Sequence, residues 1–164
     1  MEREGTLRRR IKALTWVFIV GLVVSGATAI PLLSELDWLS EWFSAERPSA
    51  VAAWIFRVRD GLRASDAGFP FLAYGTDWLA FGHFVIAIAF VGPLKDPVRN
   101  RWIYTFGMIA CALVPPYALV FGAVRGIPLY WRGIDSCFGA FGILPLYRCW
   151  LDVRELEDLI GRKT

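Results

Sequence analysis

The apolar positions of this chain form long uninterrupted runs. Residues 13–33, 78–94 and 102–124 contain no Asp, Glu, Lys or Arg. About 20 apolar residues in a helix cross a hydrocarbon core of roughly 30 Å, and only a helix closes its own backbone hydrogen bonds in lipid. The three runs therefore predict membrane-spanning helices. We expect the second span to cover 75–94, because its uncharged run alone is short for a bilayer.

A fourth span is predicted at 131–151, where the pattern is less uniform. Its uncharged stretch covers only 136–147, and Arg132, Asp135 and Arg148 flank it. Long cationic side chains near the helix ends can reach the interface, which leaves only the carboxylate to be accommodated. The predicted fold class is thus all-α: an integral membrane four-helix bundle that forms a single domain over 1–164.

Between the first two spans, 34–74 is predicted to be an additional amphipathic helical segment on the outer side. Ser34 and Asp37 have the spacing of a capping box, and a second helix is expected to open at Pro48. Packing on the bilayer or on the spans explains both apolar faces, and binding of a partner helix is the alternative. The apolar residues at helical spacing are Leu36, Leu39, Trp42 and Phe43 in the first piece and Val51, Trp54, Ile55, Val58 and Leu62 in the second.

The distribution of Lys and Arg predicts the orientation. Twelve of the 18 basic residues lie in the N-terminal tail, the turn after the second span and the C-terminal end, and six lie on the other side. Basic residues are enriched in cytoplasmic segments, so both termini, including a tail at 152–164, are placed in the cytoplasm. A cleaved signal peptide ending near Ala29 is the alternative, and continued apolar character through Leu33 favours retention.

The eight Trp residues agree with two membrane interfaces, because indole prefers the boundary between lipid and water. Five lie at predicted span ends (Trp16, Trp78, Trp102, Trp131 and Trp150), and three lie on the amphipathic segment (Trp38, Trp42 and Trp54).

Composition narrows the chemistry further. Hydrophobic residues make up 56% of the chain, with one His and three Cys. A bis-haem cytochrome needs about four axial His, and a quinone-linked thiol oxidoreductase needs paired reactive Cys. We therefore predict no metal, no cofactor and no catalytic residue, so that an enzyme is the less favoured class. The net charge of +3 follows from membrane orientation and does not indicate nucleic-acid binding.

Four polar residues in the outer part of the bilayer are candidate site residues: Asp77, His83, Arg132 and Asp135. Counted from the interface Trp residues, His83 and Asp135 lie at similar depths, and a carboxylate facing an imidazole there would form a proton or ion site. The alternative is that Arg132 and Asp135 neutralise each other, being three residues apart on one helix, while His83 bonds a backbone carbonyl.

Pro115 and Pro116 fall inside the third span, where they remove backbone N–H groups and predict a kink. The freed carbonyls could act as a hinge or an ion site, whereas close packing by a neighbouring helix is the alternative.

The stretches GHFVIAIAFVGPLKDPVRNRW and IPLYWRGIDSCFGAFGILPLYRC, with the RELE motif after them, resemble small bacterial multi-pass inner-membrane proteins of unassigned activity. The resemblance covers about 77–157. It implies a bacterial inner membrane and carries no catalytic residue across.

Three functional hypotheses follow. The leading one is a structural or accessory component that binds the lipid bilayer and another membrane protein or a second copy of itself. The second is a transporter or ion-conducting protein that uses His83 and Asp135. The third is a membrane enzyme acting at the outer leaflet.

Overall fold

The computed structural model describes residues 2–43 and 49–161, of which 89% are helical and none lies in a strand. The predicted all-α class is confirmed. The described helices follow in this order: α1 (Glu2–Ala29), α2 (Leu32–Ser40), α3 (Ala50–Gly68), a 3-10 turn (Pro70–Ala73), α4 (Tyr74–Ala89), α5 (Val91–Lys95), α6 (Arg101–Val124) and α7 (Leu129–Gly161).

Three helical segments of the described chain are long and apolar enough to cross a membrane: Glu2–Ala29, Pro70–Lys95 and Arg101–Val124. Their large apolar side chains are mostly exposed, which lipid tolerates and water does not favour. This pattern is typical of a membrane protein. α7 has 33 residues but does not meet the same measure of length and composition, since charged residues lie along it. The predicted four-helix bundle is therefore not confirmed.

The described chain divides into two compact units, one containing 1–21 and 87–164 and the other containing 22–86. In the first unit, α7 runs antiparallel to α6 along its length. Near the C-terminal end of α6, Arg132 Nη1 donates to the carbonyl oxygen of Leu119 at 3.2 Å. Near its N-terminal end, Arg101 forms an ion pair with Glu157 at 2.5 Å.

Midway along this helix pair, Gly139 of α7 lies directly on the backbone of α6. A Cβ atom at Gly139 would overlap the carbonyl oxygen of Cys111 and lie 2.9 Å from Val114 Cβ. Because Pro115 has no N–H, this carbonyl has no helical donor, and the glycine backbone covers it. The two helices can approach this closely only with a glycine at 139.

The N-terminal half of α1 completes the core of the first unit. The basic residues of the N-terminal tail lie in this helix, because α1 is helical from Glu2 onward. Its Leu7 and Ile11 are fully buried, as are Val153 and Leu156 in the last turns of α7. These side chains bury apolar surface against protein, so one face of the predicted tail at 152–164 belongs to the core, and the helix continues as far as Gly161. Residues 162–164 lie outside the described residues.

The second unit contains the hairpin of α2 and α3. Arg63 forms an ion pair with Asp37 at 2.8 Å, and Arg59 Nη1 donates to Ser40 Oγ at 2.8 Å. In the same unit the end of α1 packs on α4, where a Cβ atom at Gly26 would lie 3.0 Å from the carbonyl oxygen of Ala80.

The predicted capping box at Ser34 and Asp37 is wrong. α2 begins at Leu32, directly after Pro31, so Ser34 lies inside the helix. The fixed φ of proline explains this earlier start. The start of α3 is capped by Ser49, whose Oγ accepts the N–H of Ala52 at 3.2 Å. Pro48, where we expected this helix to open, lies outside the described residues.

Candidate functional site

His83 lies on α4 in the second unit and bonds to its own helix. Its Nδ1–H donates to the carbonyl oxygen of Leu79, one turn earlier, at 2.8 Å. Since a carbonyl only accepts, Nδ1 is the donor in this bond. This bond agrees with the alternative interpretation, in which His83 bonds a backbone carbonyl and does not form a site with Asp135.

Asp77 lies in the first turn of the same helix and is exposed. It lines a shallow cleft of about 260 Å³ together with three aromatic residues, Tyr74, Trp78 and Phe81. A carboxylate at a helix N-terminus interacts favourably with the helix dipole, which gives Asp77 a local structural role.

Arg132 and Asp135 lie near the start of α7 in the first unit, and they do not neutralise each other. The side chain of Arg132 crosses Gly122 and donates to the carbonyl of Leu119, while its buried Nε has no hydrogen-bond partner among the described residues. No ion-pair partner of the half-buried Asp135 lies in the described part of its unit. The guanidinium turns instead to a carbonyl in the last two turns of α6, because helix C-termini carry partial negative charge.

His83 and Asp135 belong to different units, so their pairing stays a prediction.

Pro115 and Pro116 lie inside α6, which is helical on both sides of them. The contact of Gly139 with the carbonyl of Cys111 accounts for the group that Pro115 frees. Helix packing thus explains the proline at position 115 without a hinge motion, and the hinge stays a prediction.

The other end of α7 carries a charged cluster that the sequence analysis missed. Asp152 is 1% exposed, and both its carboxylate oxygens accept from Arg10, from Nε and from Nη2, at 2.5 Å. Arg148 Nη2 lies 3.3 Å from the same carboxylate. An exposed pair, Arg3 with Glu155 at 2.7 Å, extends the cluster. A bidentate Arg–carboxylate pair gives a fixed geometry, so this cluster holds the start of α1 against the end of α7.

A buried polar network lies next to this cluster. Thr15 Oγ1 donates to the carbonyl of Ile11 at 2.7 Å and accepts from the hydroxyl of Tyr104 at 2.7 Å. Cys149 Sγ donates to the same carbonyl at 3.7 Å. All four residues are fully buried. Because every hydroxyl in the network is satisfied, it specifies how α1, α6 and α7 meet.

A signal for the charged cluster is present in the sequence. Arg3 and Arg10 are seven residues apart on one face of a helix, and Asp152 and Glu155 are three residues apart on another. The number of Lys and Arg on each side predicts an orientation, but it does not indicate which acidic residue each of them pairs with.

The geometry of these groups limits their chemistry. Arginine nitrogens occupy the carboxylate of Asp152, which makes it a structural group. Within 2–43 and 49–161, no group of three or more His, Cys, Asp or Glu could hold a metal ion. A larger cleft of about 300 Å³ in the second unit is lined by Leu33, Leu62, Phe69 and Asp66 among others, and it contains none of the predicted site residues.

Comparison with known proteins finds no matching family model, curated protein or solved structure. The function is therefore inferred from the residues and contacts of this chain.

Proposed function

We propose that this chain is a four-span, multi-pass protein of a bacterial inner membrane, with both termini in the cytoplasm. Within the membrane it acts as an accessory component that binds another membrane protein or a second copy of itself.

The contacts of α7 support a fourth crossing. If α1, α4 and α6 each cross once, the end of α6 lies on the opposite side of the bilayer from the start of α1. The pair Arg10–Asp152 joins the start of α1 to the end of α7. To make this contact α7 has to return through the bilayer, and its 33 residues span about 50 Å, which is sufficient. Its Phe138 and Phe141 are exposed, as expected for a lipid-facing helix.

The charge distribution supports the cytoplasmic orientation. Arg3, Arg10 and Arg101 all lie at the same end of the first unit, where α1 and α6 begin and α7 ends. Segments rich in Lys and Arg are retained in the cytoplasm. The sequence count that favours this side also includes Arg162 and Lys163, and the count for the opposite side includes Arg47. All three lie outside the described residues.

A pair of reporter fusions tests this topology. A fluorescent protein fused after Thr164 is expected to fluoresce, because it folds in the cytoplasm, and an alkaline phosphatase fused there is expected to be inactive. The matched fusion after Gly126 ends the chain before α7 and is expected to reverse both results. Phosphatase activity in the fusion after Thr164 would place the C-terminus outside the cytoplasm. That result would exclude either the fourth crossing or the cytoplasmic orientation of the N-terminus.

The observation that carries the binding role is an exposed aromatic pair at the end of α2, with Trp38 in the last turn of the helix and Trp42 in the turn that follows. Trp38 and Trp42 are 61% and 72% exposed, with ring centroids 5.6 Å apart. The ion pair of Asp37 with Arg63 helps to hold α2 on α3. Tryptophans presented on an ordered scaffold are typical anchors of protein interfaces.

Site-specific photo-crosslinking in the native membrane tests this role. A photoreactive residue at Trp38 is expected to give a discrete protein adduct, at twice the mass of the chain if the partner is a second copy. The control places the same residue at Arg57, an exposed position on α3. Adducts with lipid alone at Trp38, or the same protein adduct at both positions, would contradict the proposal.

A transport role is the second candidate, and the unpaired groups of Arg132 and Asp135 favour it. Ionisable groups within a span are costly and often mark ion pathways. Proteoliposomes are expected to show proton or cation flux that Asp135→Asn abolishes and Asp158→Asn, an exposed control, preserves. Flux equal to that of empty liposomes would remove this candidate.

A further inference from the structure

The first two turns of α4 present aromatic side chains on one face. Tyr74, Asp77, Trp78 and Phe81 have the spacing that places residues on the same side of a helix, and together they line the cleft of about 260 Å³. The ring centroid of Trp78 lies 5.8 Å from that of Tyr74 and 5.4 Å from that of Phe81, with 84° and 86° between the ring planes. Because neighbouring rings are nearly perpendicular, they do not stack into one flat layer. We call this space the aromatic cleft.

Asp77 adds a carboxylate to the aromatic cleft. No ion-pair partner of Asp77 lies in the described part of its unit, where Arg59 pairs with Asp60 and Arg63 pairs with Asp37. The dipole of α4 favours negative charge at this position without placing a cation on the carboxylate. The aromatic cleft therefore combines an unpaired negative charge with three exposed aromatic side chains.

This combination is typical of sites that bind organic ammonium groups. Aromatic rings attract a cation through their quadrupoles, and aromatic cages recognise quaternary ammonium ligands. A nearby carboxylate adds a full opposite charge. Mg²⁺ or Ca²⁺ is poorly matched, because these ions need several oxygen ligands and the lining offers one carboxylate beside aromatic rings. An aromatic layer at a membrane interface explains the three rings but not the carboxylate among them.

We propose that the aromatic cleft of α4 is a binding site for an alkylated ammonium group, with Asp77 as its counter-charge. Two sources present this group: a soluble compound such as choline, and the headgroup of a phospholipid. The same face of α4 continues into Val85 and Ile88, which are 47% and 69% exposed and offer a surface for acyl chains. The site goes beyond the proposed accessory role. It depends on contacts within one helix, so it requires neither orientation of the chain.

Fluorine NMR of the full chain tests the site. The protein is labelled with fluorotryptophan and purified in maltoside micelles, and Trp78→Phe identifies the Trp78 resonance by its loss. We expect choline to shift this resonance. An uncharged analogue, with a tert-butyl group in place of the trimethylammonium group, and sodium chloride at equal ionic strength are expected to leave it unchanged.

A lipid arm of the same experiment distinguishes the two sources. Phosphatidylcholine is added to the micelles, and phosphatidylglycerol, which has no ammonium group, is the comparison. A shift with phosphatidylcholine but not with phosphatidylglycerol indicates a headgroup ligand. A shift with choline alone indicates a soluble ligand.

Matched variants test the two parts of the site. Asp77→Asn removes the charge and is expected to weaken choline binding about fivefold. Asp66→Asn makes the same change in the other cleft of this unit, whose lining is mainly aliphatic, and should keep the affinity. Phe81→Leu should weaken binding about threefold. Phe71→Leu removes an exposed ring outside the aromatic cleft and should not weaken it. The other tryptophan resonances report whether each variant is folded.

The site would be overturned if the Trp78 resonance shifted with neither choline nor phosphatidylcholine. Equal shifts with choline and its uncharged analogue, or an equal loss of affinity in Asp66→Asn and Asp77→Asn, would also contradict the proposal. The reporter fusions read the topology, and crosslinking at Trp38 reads the partner. Failure of the ammonium site is therefore distinguishable from failure of the proposed function.

Discussion

The charged side chains at the two ends of α7 differ in whether they have partners. At the C-terminal end, Asp152 is buried and bonded at both oxygens by Arg10, and Glu157 pairs with Arg101. At the N-terminal end, Asp135 has no ion-pair partner in the described part of its unit. The buried Nε of Arg132 has no hydrogen-bond partner among the described residues. Both ends belong to the same helix and the same unit.

This difference separates charges that hold the fold from charges available for another role. Removing one partner of a buried pair leaves an uncompensated charge, so the C-terminal cluster should be sensitive to substitution. A carboxylate without a partner contributes no such stabilisation. An unpaired carboxylate within a span costs free energy, and a functional role would explain its presence there. Asp135 is therefore a better functional candidate than Asp152.

The largest expected effect lies between the two ends, where Gly139 sets the register of α7 on α6. Gly139→Ala would force a methyl group into the carbonyl oxygen of Cys111, which is backbone and cannot rotate away. We expect a loss of about 3 kcal/mol in the free energy of unfolding, measured in mixed detergent micelles.

The control for this change is Gly133→Ala on the same helix, where a Cβ atom would meet nothing within 4 Å. Alanine is the better helix former, so the free energy of unfolding should stay constant or rise by up to about 1 kcal/mol. Equal losses in the two variants would show that the close contact at Gly139 is not what matters.

The second-largest loss of stability is expected at the C-terminal end of α7, where Asp152 is paired. Asp152→Asn keeps the shape of the side chain but removes the charge that Arg10 and Arg148 face. We expect the free energy of unfolding to fall by about 2 kcal/mol, less than for a fully buried pair because Arg10 is partly exposed. In a double-mutant cycle, Arg10→Gln should add little once Asp152 is replaced. Full additivity would argue against the pair.

A smaller effect is expected from the buried network beside that cluster. Tyr104→Phe removes the donor to Thr15 Oγ1, while Thr15 keeps its own bond to the carbonyl of Ile11. The expected cost is about 1 kcal/mol, the usual net value of one neutral hydrogen bond. Val114→Ala, at a half-buried position of the same helix, reports how much a side-chain truncation alone costs.

The smallest effect is expected at the unpaired end. Asp135→Asn is the same chemical change as Asp152→Asn, and we expect it to lower the free energy of unfolding by no more than about 0.5 kcal/mol, because it removes no ion pair. A loss as large as that of Asp152→Asn would mean that Asp135 has a structural partner, and the contrast between the two ends would fail.

Much of the fold could be predicted from local pattern. The uncharged runs predicted the three candidate spans, and helical spacing of apolar residues predicted that Ala50–Gly68 is a helix. Helix starts were less predictable, because Pro31 and Ser34 both carry signals for a first turn and the helix begins directly after Pro31. For the candidate site, the sequence indicated which ionisable groups lie within apolar runs. It did not indicate that Arg132 would turn toward Leu119 instead of Asp135.

The sequence by itself determined that the chain is helical and that three of its helices are long and apolar enough to cross a membrane. Both properties follow from residues close together along the chain, namely the length of an apolar run and the need to close backbone hydrogen bonds within it. Only the tertiary structure decided which charges are paired and which carbonyl Gly139 covers. Arg10 and Asp152 are 142 positions apart, and no local pattern encodes that they share one pair of hydrogen bonds.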